Sequence, residues 1–180
     1  IPMVHYSTDF VFGGASDKPY EPDEPVAPKG VYAESKAAGD AAVAEECEKF
    51  FVIRTAWLYG IGGNNFVEKI LALAETRPSL TVVTDEVGSP SYTADLAAAT
   101  AALVKTDAYG IYHCVNAGSC SRFEFAQAIL KAAGMNTAVE PCLAEAFPPN
   151  APRPKHSVAS NARLEAPRAY VMPAWAAALG

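Results

Sequence analysis

Tyr32 and Lys36 stand four residues apart in an alanine-rich run, Val31 to Cys47, that contains no proline. On a helix that spacing puts both side chains on one face, one turn apart. A phenol has a reference pKa of about 10, so it needs help to act as an acid or base near neutral pH. A neighbouring ammonium favours the phenolate and supplies that help. Upstream, His5-Tyr6-Ser7-Thr8-Asp9 closes an apolar run. A hydroxyl from Ser7 or Thr8, delivered at a strand end, can hold the phenol and a substrate oxygen in line. That is proton transfer on a carbonyl or carbinol. A Tyr and a Lys at this spacing also form an ordinary surface pair on many helices. What lifts them is the order: a strand ending in Ser-Thr-Asp, a proline-rich loop, the Tyr/Lys helix, then another apolar strand.

The elements that must position these groups read as follows. Pro2 to Ser7 is strand-like, and Gly13 to Gly30 is a loop, because Pro19, Pro22, Pro25 and Pro28 exclude a helix or central strand. The helix expected from Val31 to about Glu48 is followed by Phe50-Phe51-Val52-Ile53, apolar enough for a strand buried on both faces. Arg54 follows that run and must be paired if buried, which gives it a structural role. Trp57 stands where the strand opens, either as a rim aromatic or facing substrate. Asn64-Asn65 caps a helix whose apolar face is Phe66, Ile70, Leu71, Leu73 and Ala74.

Further on, Leu80 to Val83 is a short strand, Asp85 to Tyr92 a loop, and Thr93 the expected cap of a helix from Ala94 to Lys105. Gly110 to Val115 reads as a strand. Ser121-Arg122-Phe123-Glu124 is a capping box, and the helix it opens ends at Gly134. Beyond it Pro141, Pro148, Pro149, Pro152 and Pro154 place the chain in a smaller lobe rather than the sheet. Ser160-Asn161 is expected to cap a short helix through Glu165, and Pro173 to start a terminal one carrying Trp175 and Leu179. The alternation argues an α/β fold: a mainly parallel sheet flanked by helices, with a small mixed α/β lobe. Residues 1–135 carry the sheet with interleaved lobe segments, and 136–180 mainly the lobe.

Composition excludes several classes. The chain has 180 residues, 51% of them apolar, enough for a core. A net charge of −6 argues against nucleic-acid and anionic-membrane surfaces. The apolar runs are too short for a transmembrane span, and Ile1-Pro2-Met3-Val4-His5 does not read as a secretory signal. Cys47, Cys114, Cys120 and Cys142 show no metal or disulfide spacing and read as reduced thiols in a cytoplasmic protein. His5, His113 and His156 are scattered, so no metal is expected.

Three stretches together resemble a known family. Ser7-Thr8-Asp9-Phe10-Val11-Phe12, Val31-Tyr32-Ala33-Glu34-Ser35-Lys36 and Ile53-Arg54-Thr55-Ala56-Trp57-Leu58-Tyr59-Gly60 resemble the extended short-chain dehydrogenase/reductases. Asn64-Asn65-Phe66, Asp85 to Pro90 and Arg153 to Ser157 extend the likeness over nearly the whole chain. They point to the branch that reduces the 4-keto group of dTDP-4-dehydro-L-rhamnose with NADPH or NADH, for polysaccharide synthesis. Gly13-Gly14 departs from that family's Asp-Gly, and Glu86 from a glutamine found in some members.

The resemblance implies Thr8, Tyr32 and Lys36 as catalytic residues. It implies Ser7, Tyr32, Lys36 and Trp57 at the cofactor, and Thr8, Asp9, Trp57, Asn65, Phe66 and Arg153 at the nucleotide sugar. It leaves a homodimer open. The same residues serve two alternatives: another nucleotide-sugar reductase, epimerase or dehydratase, and a non-catalytic regulatory relative of methionine adenosyltransferase. No glycine-rich phosphate turn is present, since Gly60-Ile61-Gly62-Gly63 has the wrong spacing. The resemblance therefore implies a partial Rossmann-like fold, a carboxy-terminal part lacking about 80 to 110 residues of a first dinucleotide-binding half. Alone, it is expected to be inactive and prone to self-association.

Overall fold

A computed structural model describes residues 1–148, 151–166 and 170–179. The central sheet joins β1 (Met3–Thr8), β2 (Phe50–Thr55) and β7 (Gly110–His113), all parallel, with β2 in the middle. The register sets Thr8 beside Thr55 at neighbouring carboxyl ends. Phe51, Val52 and Ile53 are fully buried, as a strand covered on both faces requires. Between β1 and β2 runs α1 (Val31–Glu46), entered through Gly30 at φ 87°, a backbone region that disfavours side chains.

After β2 come β3 (Leu58–Tyr59), α2 (Phe66–Thr76), β4 (Ser79–Val83), β5 (Val87–Gly88), β6 (Ser91–Tyr92) and α3 (Thr93–Leu103). Beyond β7 follow β8 (Cys120–Ser121), α4 (Arg122–Ala132), β9 (Ala138–Cys142) and α5 (Ala162–Glu165). Three two-stranded pairs stand apart from the central sheet: β3 with β6, β4 with β9, and β5 with β8. One core gathers Phe51, Ile53, Leu96, Leu103 and Leu164; a second gathers Tyr59, Ile70, Phe125 and Ile129 between α2, α4 and β4.

Local signals held where the chemistry was local. Asn65 accepts from the Glu68 amide at 3.1 Å, the capping box at Ser121 and Glu124 is reciprocal, and Gly134 takes φ 68° after α4. Arg54 is buried and paired, its Nε 2.8 Å from Asp40 Oδ2 and one Nη donating to the Pro22 carbonyl at 3.0 Å. The last bond fastens the proline loop to β2.

Four expectations need correction. Thr93 does not cap α3; it is the first helical residue, and the cap position, Tyr92, makes no side-chain bond. Asn161 does not cap α5 through its side chain, which instead bonds both the Val115 amide and the Val115 carbonyl. Pro141 lies inside strand β9, opposite Val82, which is tolerated because a two-stranded pair has only edge strands. The region from Pro173 forms a 3₁₀ turn at Ala177–Leu179 rather than a longer helix. Pro149 lies outside the described residues.

Candidate active site

The carboxyl ends of β1 and β2 open into a cavity of about 760 Å³. β1 and the turn after it bring Ser7, Thr8 and Asp9 to it, α1 brings Tyr32, β2 and the turn after it bring Thr55 and Trp57, and Arg153 comes from the segment 151–157. Thr8 ends the strand and starts a 3₁₀ turn, Asp9–Val11. Its Oγ1 accepts from the Phe10 amide at 3.2 Å and donates its proton to Asp9 Oδ1 at 3.0 Å. The hydroxyls of Ser7 and Thr55 are buried on the same wall and have no hydrogen-bond partner among the described residues.

Tyr32 is the second residue of α1 and about half exposed, with its ring edge-on to Phe10 at 5.7 Å. Lys36, one turn along, is not on the cavity wall. Its ammonium donates to the Tyr6 carbonyl of β1 at 2.5 Å, which ties the helix to the strand. Of the residues the sequence singles out, the structure gathers Ser7, Thr8, Asp9, Tyr32, Trp57 and Arg153 around one space.

Asn65 and Phe66 line a second cavity of about 780 Å³. Trp57, Leu58, Arg122 and Arg153 belong to the walls of both, so the two spaces are neighbours. Trp57 has φ 44°, the left-handed region that is costly for a bulky side chain. Its indole lies against Gly88, where an added Cβ would sit 2.6 Å from the ring. The second cavity mixes apolar Phe66, Leu73 and Val82 with cationic Lys69 and Arg77. That mixture suits a ligand with an aromatic part and an anionic part.

Two charged groups are perturbed by this setting. Burial pushes the Asp9 carboxyl up to about 6, against the lowering effects of the Ser157 and Thr8 hydroxyls and the Arg122 charge. Burial brings Arg122 down to about 10, with Glu86 opposing and Arg153 assisting that shift. Arg122 Nε lies 3.6 Å from Glu86 Oε2, so the unexpected glutamate holds an arginine.

Arg122 is a site residue that sequence reasoning missed. It opens α4, where the positive end of the helix dipole disfavours a cation. An arginine misplaced in this way was the available signal that something else holds it. Thr55 was missed as well, and nothing local marks it. Among the described residues, no three His, Cys, Asp or Glu side chains cluster as a metal set, and no helix is long and apolar enough to cross a membrane.

Residues 1–180 match the family described as RmlD substrate binding domain. Among curated relatives, the spore coat polysaccharide biosynthesis protein SpsK of Bacillus subtilis (strain 168) is 45% identical over 162 residues, covering 90% of this chain and 57% of the relative. The dTDP-4-dehydrorhamnose reductase of Escherichia coli (strain K12) is 36% identical over 184 residues, covering 96% and 62%. A crystal structure of dTDP-4-dehydrorhamnose reductase from Bacillus anthracis in complex with NADP superposes with a TM-score of 0.94 at 42% identity, covering 98% of this chain and 63% of that one. The chain thus spans between half and two thirds of the length of the curated relatives it matches.

Proposed function

Because the chain belongs to the RmlD substrate binding domain family, we propose that it holds the nucleotide sugar and the proton donor of an NAD(P)H-dependent reductase. The reaction is reduction of the 4-keto group of dTDP-4-dehydro-L-rhamnose to dTDP-L-rhamnose. The observation that carries the reading is the meeting of Thr8 and Tyr32 on one cavity at adjacent strand ends, beside a second cavity with aromatic and cationic walls. Ligands of open α/β sheets bind outside the carboxyl ends of the strands.

The unpartnered hydroxyls of Ser7 and Thr55 are buried polar atoms that suit a ribose or carboxamide, so a nicotinamide nucleotide fits this wall. Ser7, Tyr32 and Trp57 on this wall are assigned to hold it, together with Lys36, whose ammonium must leave the Tyr6 carbonyl to reach it. When bound, that cofactor supplies the hydride. The chain supplies the rest. Tyr32 gives its phenolic proton to the oxygen that becomes the 4-hydroxyl, and the Lys36 ammonium one turn away favours the phenolate left behind. Thr8 polarises the same oxygen. Asp9, Trp57 and Arg153 hold the sugar side, while Asn65 and Phe66 hold the nucleotide side. A relative named as a reductase contains NADP, which supports NADPH as the donor.

The same reading places the protein in the cytoplasm, with a homodimer as the assembly for sedimentation to test. The experiment is oxidation of NADPH and of NADH by the full-length protein with dTDP-4-dehydro-L-rhamnose, beside Tyr32→Phe. Loss of about 100-fold or more in kcat in the variant, with KM little changed, is expected for a proton donor. No oxidation by folded protein that binds cofactor would overturn the substrate assignment.

A further inference from the structure

A hydroxyl has one proton, and Thr8 gives its own to Asp9 Oδ1 at 3.0 Å while its oxygen accepts from the Phe10 amide. Both side chains are buried and both face the 760 Å³ cavity. With Asp9 ionised, Thr8 therefore offers the cavity only a lone pair. That is the wrong polarity for an oxygen that gains negative charge as hydride arrives. Asp9 Oδ2 is buried without a hydrogen-bond partner of its own, although the Ser157 hydroxyl is near. The carboxyl is thus placed where its neutral form costs least.

We propose that Asp9 is a positioning residue that sets the direction of the Thr8 hydroxyl. As a carboxylate it takes the Thr8 proton. As the neutral acid it donates its own proton to Thr8 Oγ1 and frees the Thr8 proton for the substrate oxygen. No proton is consumed at Thr8, because Tyr32 still provides the one that ends on the product. The inference rests on the reading of Thr8 as the group that polarises the carbonyl.

The charges around Asp9 set the balance. From α4 comes Arg122, whose charge favours the carboxylate and is partly absorbed by Glu86. From segment 151–157 comes the neutral Ser157 hydroxyl, while Arg153, the phenol of Tyr32 and Lys29, whose ammonium bonds the Gly13 carbonyl, line the same cavity. Burial outweighs them and raises the carboxyl to about 6, which brings both forms within reach near neutral pH.

Two measurements on the full-length protein test this. In the first, the aspartate carboxyls are labelled with ¹³C and titrated in the absence of substrate. One buried carboxyl should titrate near pH 6, and Thr8→Val should move its midpoint upward because the carboxylate loses its donor. A carboxyl that stays ionised to pH 5, or a midpoint indifferent to Thr8→Val, would overturn the proposal whether or not the protein is a reductase.

The second is the pH profile of kcat. The wild type should fall by up to about tenfold per pH unit above the Asp9 midpoint. Asp9→Asn, whose amide always donates to Thr8 Oγ1, should lack that fall and overtake the wild type at pH 8. Asp9→Ala, with nothing to turn Thr8, should lose kcat more than it raises KM. An unchanged alkaline limb in Asp9→Asn refutes the inference and leaves the reductase reading standing. Absence of any turnover refutes the reading instead, and the carboxyl titration then decides whether Asp9 and Thr8 are coupled.

Discussion

The Arg122 guanidinium carbon lies 3.5 Å from the centre of the Trp57 ring and 5.1 Å from that of Phe66. One cation is shared by two aromatic faces at the wall between the two cavities. Arg122→Leu should raise KM for the nucleotide sugar about tenfold or more and alter kcat less, because it removes a cation from a binding wall and leaves Tyr32 in place. Arg122→Lys should recover little of this, since an ammonium neither stacks nor forks as a guanidinium does. Steady-state kinetics measure the first effect. The emission of Trp57 in a Trp175→Phe background, which should shift when its cationic neighbour is lost, checks that the stack exists in solution.

Gly88 lets the Trp57 indole lie flat. A Cβ there would fall 2.6 Å from Trp57 Cε2 and 2.8 Å from Cζ2, closer than atoms pack. Gly88→Ala should therefore displace the ring, destabilise the protein by about 1–3 kcal/mol and weaken substrate binding. Urea denaturation and KM, measured on the same sample, separate the two effects.

Asp40 and Arg54 form a buried pair, with side chains about 4% exposed. Asp40→Ala leaves Arg54 charged and enclosed, and should cost about 3–5 kcal/mol by chemical denaturation. Asp40→Leu combined with Arg54→Met should regain most of the loss, because two apolar groups need no pairing.

His113 is fully buried, and its pKa is held down to about 4, first by burial and then by the Arg54 charge. A folded-state value below the unfolded one near 6.5 means the unfolded chain takes up the proton first. The His113 contribution to stability is complete above about pH 6.5 and drains away as pH falls toward 4, by up to about 3 kcal/mol, while Asp9, raised to about 6, contributes with the opposite sign. His113→Gln should flatten that slope in urea titrations run between pH 7.5 and 4.5.

Short-range chemistry was readable from the chain. The caps at Asn65 and Ser121, the left-handed Gly134 and the apolar runs of β1, β2 and β7 each depend on neighbours within a few residues. The need of Arg54 for a partner was also readable, but not the partner, because Asp40 reaches it only when α1 packs on β2. Asn161 and Pro141 misled because distant backbone decided the local outcome, Val115 for the first and strand β4 for the second. At the site, Ser7, Thr8, Asp9, Tyr32, Trp57 and Arg153 were all legible as candidates and converge on one cavity. Arg122 was not, because its meaning lies in Trp57, Phe66 and Glu86, which are brought to it by other elements.

Trp57 combines a left-handed backbone with the bulkiest of side chains. Glycine at that position would relax the main chain and discard the platform between the cavities. The indole packs on Phe125 and under Arg122, so the strained backbone is held by contacts that glycine would forfeit. Trp57→Gly should therefore lose more stability with the missing ring than it regains from the relaxed backbone, and urea denaturation beside Trp57→Phe separates the two contributions.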